Sequence, residues 1–155
     1  MDNVFHEYQK ILVPVDGSHQ SEAALKKGIT AAKRNHAELT ILHVIDVRAF
    51  QGTGTVDPLI TKEAAHRANQ LLNGYQKEAQ EMGVSTVHTR IEYGSPKNVI
   101  TYEVPEDEKT DLIMMGATGL SAIERLLIGS VSEYVTRHAP CDVMIVRTDL
   151  VNHPL

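Results

Sequence analysis

Three glycines, the last followed directly by a serine, stand at uneven spacing in the segment MGATGLSAIERLLIGSVSEYVTRH, residues 115–138. Gly116 follows an apolar run, Gly119 lies three residues on, and the pair Gly129-Ser130 precedes an amphipathic stretch. Glycine lets a ligand approach the backbone closely, and the free N–H groups at a helix N-terminus attract anions. The spacing therefore predicts a phosphate-binding loop.

Ser130 has a second interpretation, because Ser130 and Glu133 form the S-x-x-E pattern of a helix capping box. In that interpretation the serine begins a helix and its hydroxyl has no ligand. The two interpretations are compatible, since the N-terminus of a capped helix can also face an anion.

A second candidate for chemistry is VPVDGS, residues 13–18. Asp16 is predicted at the carboxyl end of the first strand, and Gly17 permits a tight turn into the first helix. The carboxylate could meet a ribose hydroxyl or a metal ion. It could equally belong to a turn that leads into the helix N-cap at Ser18, and the motif alone leaves both open.

Five short apolar runs alternate with amphipathic segments, and these elements must position the candidate residues. The strands are predicted at 10–16, 39–46, 84–93, 111–116 and 142–147. The helices are predicted at about 18–34, at 64–82, from 95 to a break or an end by Pro105, and from Ser130 to 138.

This alternation predicts an α/β fold over residues 1–155: one domain with a five-stranded parallel sheet, strand order 3-2-1-4-5, and helices on both faces. In such a sheet a ligand lies beyond the carboxyl ends of the strands, where the strand order reverses. Strands one and four flank that point, so Asp16 and the glycine segment are expected to meet there.

Composition argues against several classes of function. The net charge of −5 gives no basic surface for nucleic acid, and no apolar stretch approaches the roughly 20 residues that cross a membrane. The polar N-terminus and the single Cys141 predict a cytoplasmic protein. The eight histidines lack metal-ligand spacing, and Cys141 is interpreted as a small buried hydrophobic residue.

The fifth predicted strand, DVMIVR, lies at an edge of the sheet in this order and carries no proline or lysine inside it. An apolar edge of this kind favours pairing with another chain. We expect a homodimer in which two fifth strands pair antiparallel about a two-fold axis. The alternative is an edge covered by the C-terminal residues 149–155.

Together these features resemble the universal stress protein family, and specifically its nucleotide-binding branch. The resemblance covers nearly the whole chain, from KILVPVDGS through LHVID to APCDVMIVR. Its most specific part is the pattern G-x2-G-x9-G-[ST], present here as Gly116, Gly119, Gly129 and Ser130.

The resemblance implies that ATP binds with a magnesium or manganese ion. The Val44 backbone would contact the adenine, Pro14 and Val15 would line its pocket, and Asp16 would approach the ribose or the metal. The residues implied around the triphosphate are Gly116, Gly119, Gly129, Ser130 and Val131. The implied role is that of a cytoplasmic homodimer that serves as a nucleotide-dependent switch in the stress response.

Two other functions remain open at this point, a slow magnesium-dependent ATPase and a scaffold that does not bind ATP. Arg125 could be a solvated helix charge or could reach a phosphate, and the loop at 46–58 could gate the site. One feature departs from the family pattern: EVPEDEK, residues 103–109, interrupts the third helix. That interruption is expected to leave the nucleotide site intact.

Overall fold

The computed structural model describes residues 7–48, 58–119 and 128–148, and its strands form one parallel sheet in the order 3-2-1-4-5. The predicted fold class and strand order are confirmed. The strands are β1 (Lys10–Pro14), β2 (Glu38–Ile45), β3 (Val87–Tyr93), β4 (Leu112–Gly116) and β5 (Asp142–Val146). The central position of β1, between β2 and β4, places the reversal of strand order beside its carboxyl end.

Helices cover both faces of this sheet, as predicted. They are α1 (His19–Asn35), α2 (Pro58–Glu81), α3 (Pro96–Asn98), α4 (Val104–Glu108) and α5 (Ser130–His138), with a π-helical segment (Val99–Glu103) joining α3 to α4. Of the helices in the described ranges, none combines the length and the apolar character needed to cross a bilayer.

The side chains of β1 point alternately to the two faces of the sheet and pack into two separate hydrophobic cores. Ile11 and Val13 pack with residues of α1 and α2, such as Leu25 and Leu72. Leu12 packs on the opposite face with residues of the π segment, α4 and α5. Successive strand residues point to opposite faces, so a strand covered on both sides reads as a continuous apolar run.

The helix ends follow local backbone chemistry. Ser18 is the N-cap of α1, and its hydroxyl oxygen accepts a hydrogen bond from the Ser21 N–H at 3.2 Å. Gly83 follows α2 with φ +106°, a conformation that side chains disfavour. The Val84 N–H then donates to the Ala79 carbonyl at 3.1 Å. Val84 therefore closes the end of α2, and β3 begins three residues later than predicted.

The third helix is interrupted before Pro105, as expected, but it does not end there. The Val104 N–H bonds to the Val99 carbonyl, five residues back, in the widened turn of a π-helix. Proline lacks an N–H and its ring clashes with the preceding α-helical turn, and the wider π turn accommodates both effects. The helix then continues as α4 to Glu108.

Charged residues fasten α4 to the sheet. The Arg90 guanidinium on β3 donates to Asp107 and to Glu108, each at 2.8 Å. The other carboxylate oxygen of Glu108 accepts a hydrogen bond from the buried Thr40 hydroxyl on β2 at 2.7 Å. These contacts explain why the chain remains helical past Pro105.

Replacing either of two buried threonines on this side of the sheet by valine is expected to change stability, in opposite directions. In the described residues, Thr101 Oγ1 is the buried side-chain oxygen or nitrogen without a hydrogen-bond partner, whereas Thr40 Oγ1 is bonded. Thr101→Val is expected to raise the free energy of unfolding by about 1 kcal/mol, and Thr40→Val to lower it by about as much. Urea denaturation of the two variants checks this, and two changes of the same sign would contradict it.

Candidate functional site

A cavity of about 390 Å³ opens at the carboxyl ends of β1 and β4, where the strand order reverses. All nine site residues predicted from the sequence line it: Pro14, Val15, Asp16, Val44, Gly116, Gly119, Gly129, Ser130 and Val131. Six further lining residues were not predicted: Ser21, Pro96, Ile100, Met115, Thr118 and Ser132. The structure thus brings the predicted residues together, while their roles toward a ligand stay predictions.

The lining changes character across the cavity. Val44 belongs to β2, on one side of β1, and Pro96 and Ile100 come from α3 and the π segment. The lining on the β4 side is built mainly from backbone, small hydroxyl side chains and the first turn of α5. The site therefore offers an apolar wall beside a polar end, a combination typical of small-molecule sites.

Asp16 lies in a hydrogen-bonded turn between β1 and α1. Its Oδ1 accepts hydrogen bonds from the Ser18 N–H at 3.0 Å and from the Ser18 hydroxyl. The Asp16 N–H donates to the Ser21 hydroxyl oxygen at 3.2 Å, and that hydroxyl donates to the Ser18 carbonyl at 3.0 Å. The turn interpretation of Asp16 is confirmed, and the same turn holds the residue in the cavity lining.

The predicted capping box at Ser130 is wrong by one residue. Gly129 is the N-cap of α5, and the Glu133 N–H donates to its carbonyl at 2.9 Å. The Gly129 N–H donates to the Ala117 carbonyl at 2.6 Å, and this bond to the loop after β4 fixes the start of the helix. Ser130 is consequently the first helical residue and does not cap the helix.

The first turn of α5 presents backbone donors to the cavity. Its first residues, Ser130, Val131 and Ser132, all line the cavity, and N–H groups at such positions have no acceptor inside a helix. Their partial positive charge makes this end of the cavity a place where an anion is stabilised.

The three glycines differ in what an added side chain would contact. A Cβ on Gly116 would lie 2.9 Å from the backbone of Gln20, so this glycine permits α1 to pack against β4. Gly116 also lines the cavity, and its role in the approach of a ligand stays a prediction. A Cβ on Gly119 would lie 2.5 Å from Asp16 Oδ2, whereas one on Gly129 would lie 3.4 Å from the Ala117 carbonyl oxygen, which is tight but tolerable.

Ser132 is a structural link that the sequence analysis missed. Its buried hydroxyl donates to the Gly116 carbonyl at 2.8 Å and joins the first turn of α5 to the end of β4. A serine in a first helical turn usually signals local capping, so the sequence held no sign of this contact across sixteen residues.

Three other residues or segments from the sequence analysis have separate outcomes. Cys141 is half-buried rather than buried as interpreted, but it packs against the core that contains Leu12, as a small hydrophobic residue does. Desolvation raises the pKa of its thiol to about 11. Arg125 and residues 49–57 of the loop lie outside the described residues. At the start of that loop, Arg48 forms an ion pair with Asp46 at 2.7 Å.

Comparison with known proteins gives a consistent result. The model of the universal stress protein family matches residues 7–147. A Staphylococcus aureus (strain USA300) protein described as a universal stress protein is 48% identical over 142 residues, covering 92% of this chain and 86% of that protein.

Two solved structures illustrate the structural likeness. The universal stress protein UspA from Lactobacillus plantarum superposes with a TM-score of 0.81 at 36% identity, covering 90% of this chain and 98% of that chain. A universal stress protein in complex with cAMP superposes with a TM-score of 0.69 at 27% identity, covering 92% of this chain and 98% of that chain.

The different surroundings of two glycines predict different costs of adding a methyl group. Gly116→Ala is expected to lower the free energy of unfolding by about 1–3 kcal/mol, because its Cβ would overlap the α1 backbone. Gly129→Ala is expected to cost less than about 1 kcal/mol, since its extended backbone suits any residue. Thermal unfolding compares the variants, and equal costs would contradict this account of Gly116.

Proposed function

This chain belongs to the universal stress protein family, and we propose that it binds an adenine nucleotide, with ATP as the ligand, in the cavity between β1 and β4. The observation that carries the proposal is the placement of an apolar wall beside a helix N-terminus in one cavity of about 390 Å³. A nucleotide has the same two parts, a flat base and a charged phosphate chain. The related protein in complex with cAMP supports an adenine nucleotide as the ligand class.

The base is assigned to the apolar side of the cavity. Val44, Ile100 and Met115 supply side chains that can exclude water from the faces of a purine. Pro14 and Val15 continue this surface at the end of β1. In this proposal the Val44 backbone contacts the edge of the adenine.

The phosphates are assigned to the first turn of α5. The N–H groups of Ser130, Val131 and Ser132 face a ligand there without an intrahelical acceptor, and the helix dipole adds to their attraction. Gly119 and Gly129 line this part of the cavity without adding side chains of their own. The Ser130 hydroxyl can contribute a further hydrogen bond.

A magnesium or manganese ion fits this arrangement only as part of the nucleotide complex. In the ranges that the structure describes, no three histidine, cysteine or acidic side chains are grouped to hold a metal ion. Mg²⁺ is commonly held by one or two carboxylates together with phosphates and water. Asp16, which lines the cavity, is the carboxylate proposed to fill that role.

The composition of the lining favours binding over rapid hydrolysis. Of the described residues that line the cavity, Asp16 alone has an ionisable side chain. Fast phosphoryl transfer relies on positioned cations and on a residue that orients water. The proposed function is that of a switch or regulator of the stress response in the cytoplasm, which changes state with its bound nucleotide.

A homodimer through β5 is part of the proposal. The Ala117 N–H donates to the Val146 carbonyl, so Val146 and alternate residues before it direct their backbone groups toward β4. Val143 and Ile145 therefore direct theirs away from β4, toward the edge where a second β5 can pair. The alternative cover for this edge, residues 149–155, lies outside the described residues. Met144 on this strand is 46% exposed, which adds apolar surface at the same edge.

A pair of substitutions at Ser130 tests the phosphate site. Proline suits the first position of a helix but removes the N–H, whereas alanine removes only the hydroxyl. Ser130→Pro is expected to weaken magnesium-ATP binding about 10- to 100-fold, the loss of one hydrogen bond to a charged group, and Ser130→Ala to weaken it less.

Thermal unfolding with and without magnesium-ATP provides the readout. ATP at about 100 times its dissociation constant should raise the Tm of the native protein by roughly 5–10 °C. No shift at millimolar ATP would contradict the proposed function. Native affinity in Ser130→Pro would contradict the assignment of the phosphates to α5.

The proposed dimer is tested at Ile145. Its N–H points away from β4, so Ile145→Pro removes a donor between chains in the proposed dimer while leaving the pairing of β5 with β4 intact. The variant is expected to stay folded and to sediment as a monomer. A folded Ile145→Pro variant that still sediments as a dimer would show that the interface lies elsewhere.

A further inference from the structure

The hydrogen-bond ladder between β1 and β2 lacks the last bond that the pairing register of the two strands would allow. The Val15 N–H donates to the Leu42 carbonyl at 2.7 Å, and in a parallel ladder the Val44 N–H would next donate to the Val15 carbonyl. In the described residues, the Val44 N–H does not form this bond to the Val15 carbonyl. Instead, the His43 ring nitrogen Nδ1 lies 2.8 Å from the Val15 carbonyl oxygen.

The direction of this contact is set by its chemistry. A carbonyl oxygen can only accept, so Nδ1 of His43 carries the hydrogen and donates it. Val15 is 3% exposed, and a buried carbonyl needs a donor. The histidine side chain therefore supplies the hydrogen bond that the Val44 N–H would otherwise make.

The consequence falls on the backbone of Val44. Even-numbered residues of β2 direct their N–H and carbonyl groups toward β1, as the bonds from Glu38 to Gln9 and from Val15 to Leu42 show. Val44 has the same orientation, but β1 ends at Pro14. Its N–H and carbonyl thus face past the end of β1, where Val44 lines the cavity.

A free N–H beside a free carbonyl matches one edge of adenine. That edge presents the ring nitrogen N1, which accepts, next to the N6 amino group, which donates. At the corresponding atoms guanine has an N1–H, which donates, and O6, which accepts, so the order is reversed. The Val44 backbone can therefore recognise adenine without any side-chain hydrogen bond.

We infer that His43 is a positioning residue for nucleotide recognition: it occupies the Val15 carbonyl and so keeps the Val44 N–H available to the base. This inference rests on the proposed nucleotide function. His43 also determines the partner of the Val44 N–H in the free protein, whether or not ATP is bound. Hydrogen exchange at Val44 and the binding of ATP can therefore be measured separately.

The first experiment measures hydrogen exchange at the Val44 amide by NMR, in free protein. In His43→Ala the Val44 N–H gains the vacated Val15 carbonyl as its acceptor, so its exchange is expected to slow at least about tenfold. His43→Asn retains a donor near the position of Nδ1, so fast exchange is expected. His88→Ala is the matched control, because His88 lies on β3 and contacts Glu38 at the other end of the sheet.

The second experiment compares the binding of ATP and of inorganic tripolyphosphate. His43→Ala is expected to weaken ATP binding about five- to tenfold, the value of one hydrogen bond, and to leave tripolyphosphate binding unchanged. His43→Asn should restore most of the ATP affinity. This separation distinguishes a role at the base from a general loss of structure, which would weaken both ligands.

The outcomes separate the inference from the proposed function. If native protein binds neither ATP nor tripolyphosphate, the proposed function fails, and the exchange experiment still tests His43. If native protein binds ATP but His43→Ala binds it equally well, the positioning role is overturned while the proposed function stands. Equal losses for both ligands, failure of His43→Asn to restore ATP binding, or unchanged Val44 exchange in His43→Ala also overturn it.

Discussion

Buried backbone groups need hydrogen-bond partners, and the end of β1 is where this chain has too few strand neighbours to supply them. The chain meets the shortage with side chains: His43 bonds to the Val15 carbonyl, and Ser21 accepts from the Asp16 N–H. On the β4 side, Ser132 bonds to the Gly116 carbonyl. The cavity lies among these side chains, and its polar character comes from the backbone groups that they leave without a partner.

Much of this arrangement follows from sequence pattern alone. Continuous apolar runs alternating with amphipathic segments predict a parallel sheet, and parallel strands bring their carboxyl ends to one edge. That rule alone places Asp16 near Gly116, although 100 residues separate them in the chain. The predicted site residues converge on one cavity because the topology leaves them little alternative.

The rest depends on contacts that no local pattern records. Gly116 is required by the approach of Gln20 on another element, and α5 begins at Ser130 because Gly129 is bonded to Ala117. His43 occupies one position in an apolar run. Only the register of β1 against β2 shows that its ring takes the place of the Val44 N–H as the donor to the Val15 carbonyl. Such features are settled by tertiary packing, so the sequence analysis placed the site but not its internal bonding.

The π segment has a consequence for how this fold can vary. A π turn accommodates one more residue than an α turn, so it is the structural form of a single-residue insertion within a helix. A residue added to an uninterrupted α-helix rotates the chain before it by about 100° relative to the chain after it, whereas a π turn takes up the extra residue with little rotation. Pro96 precedes this segment and lines the cavity. This segment can therefore lose a single residue by becoming α-helical while Pro96 keeps its place in the cavity wall, so the length of the chain can vary here among proteins of the same fold without loss of the site.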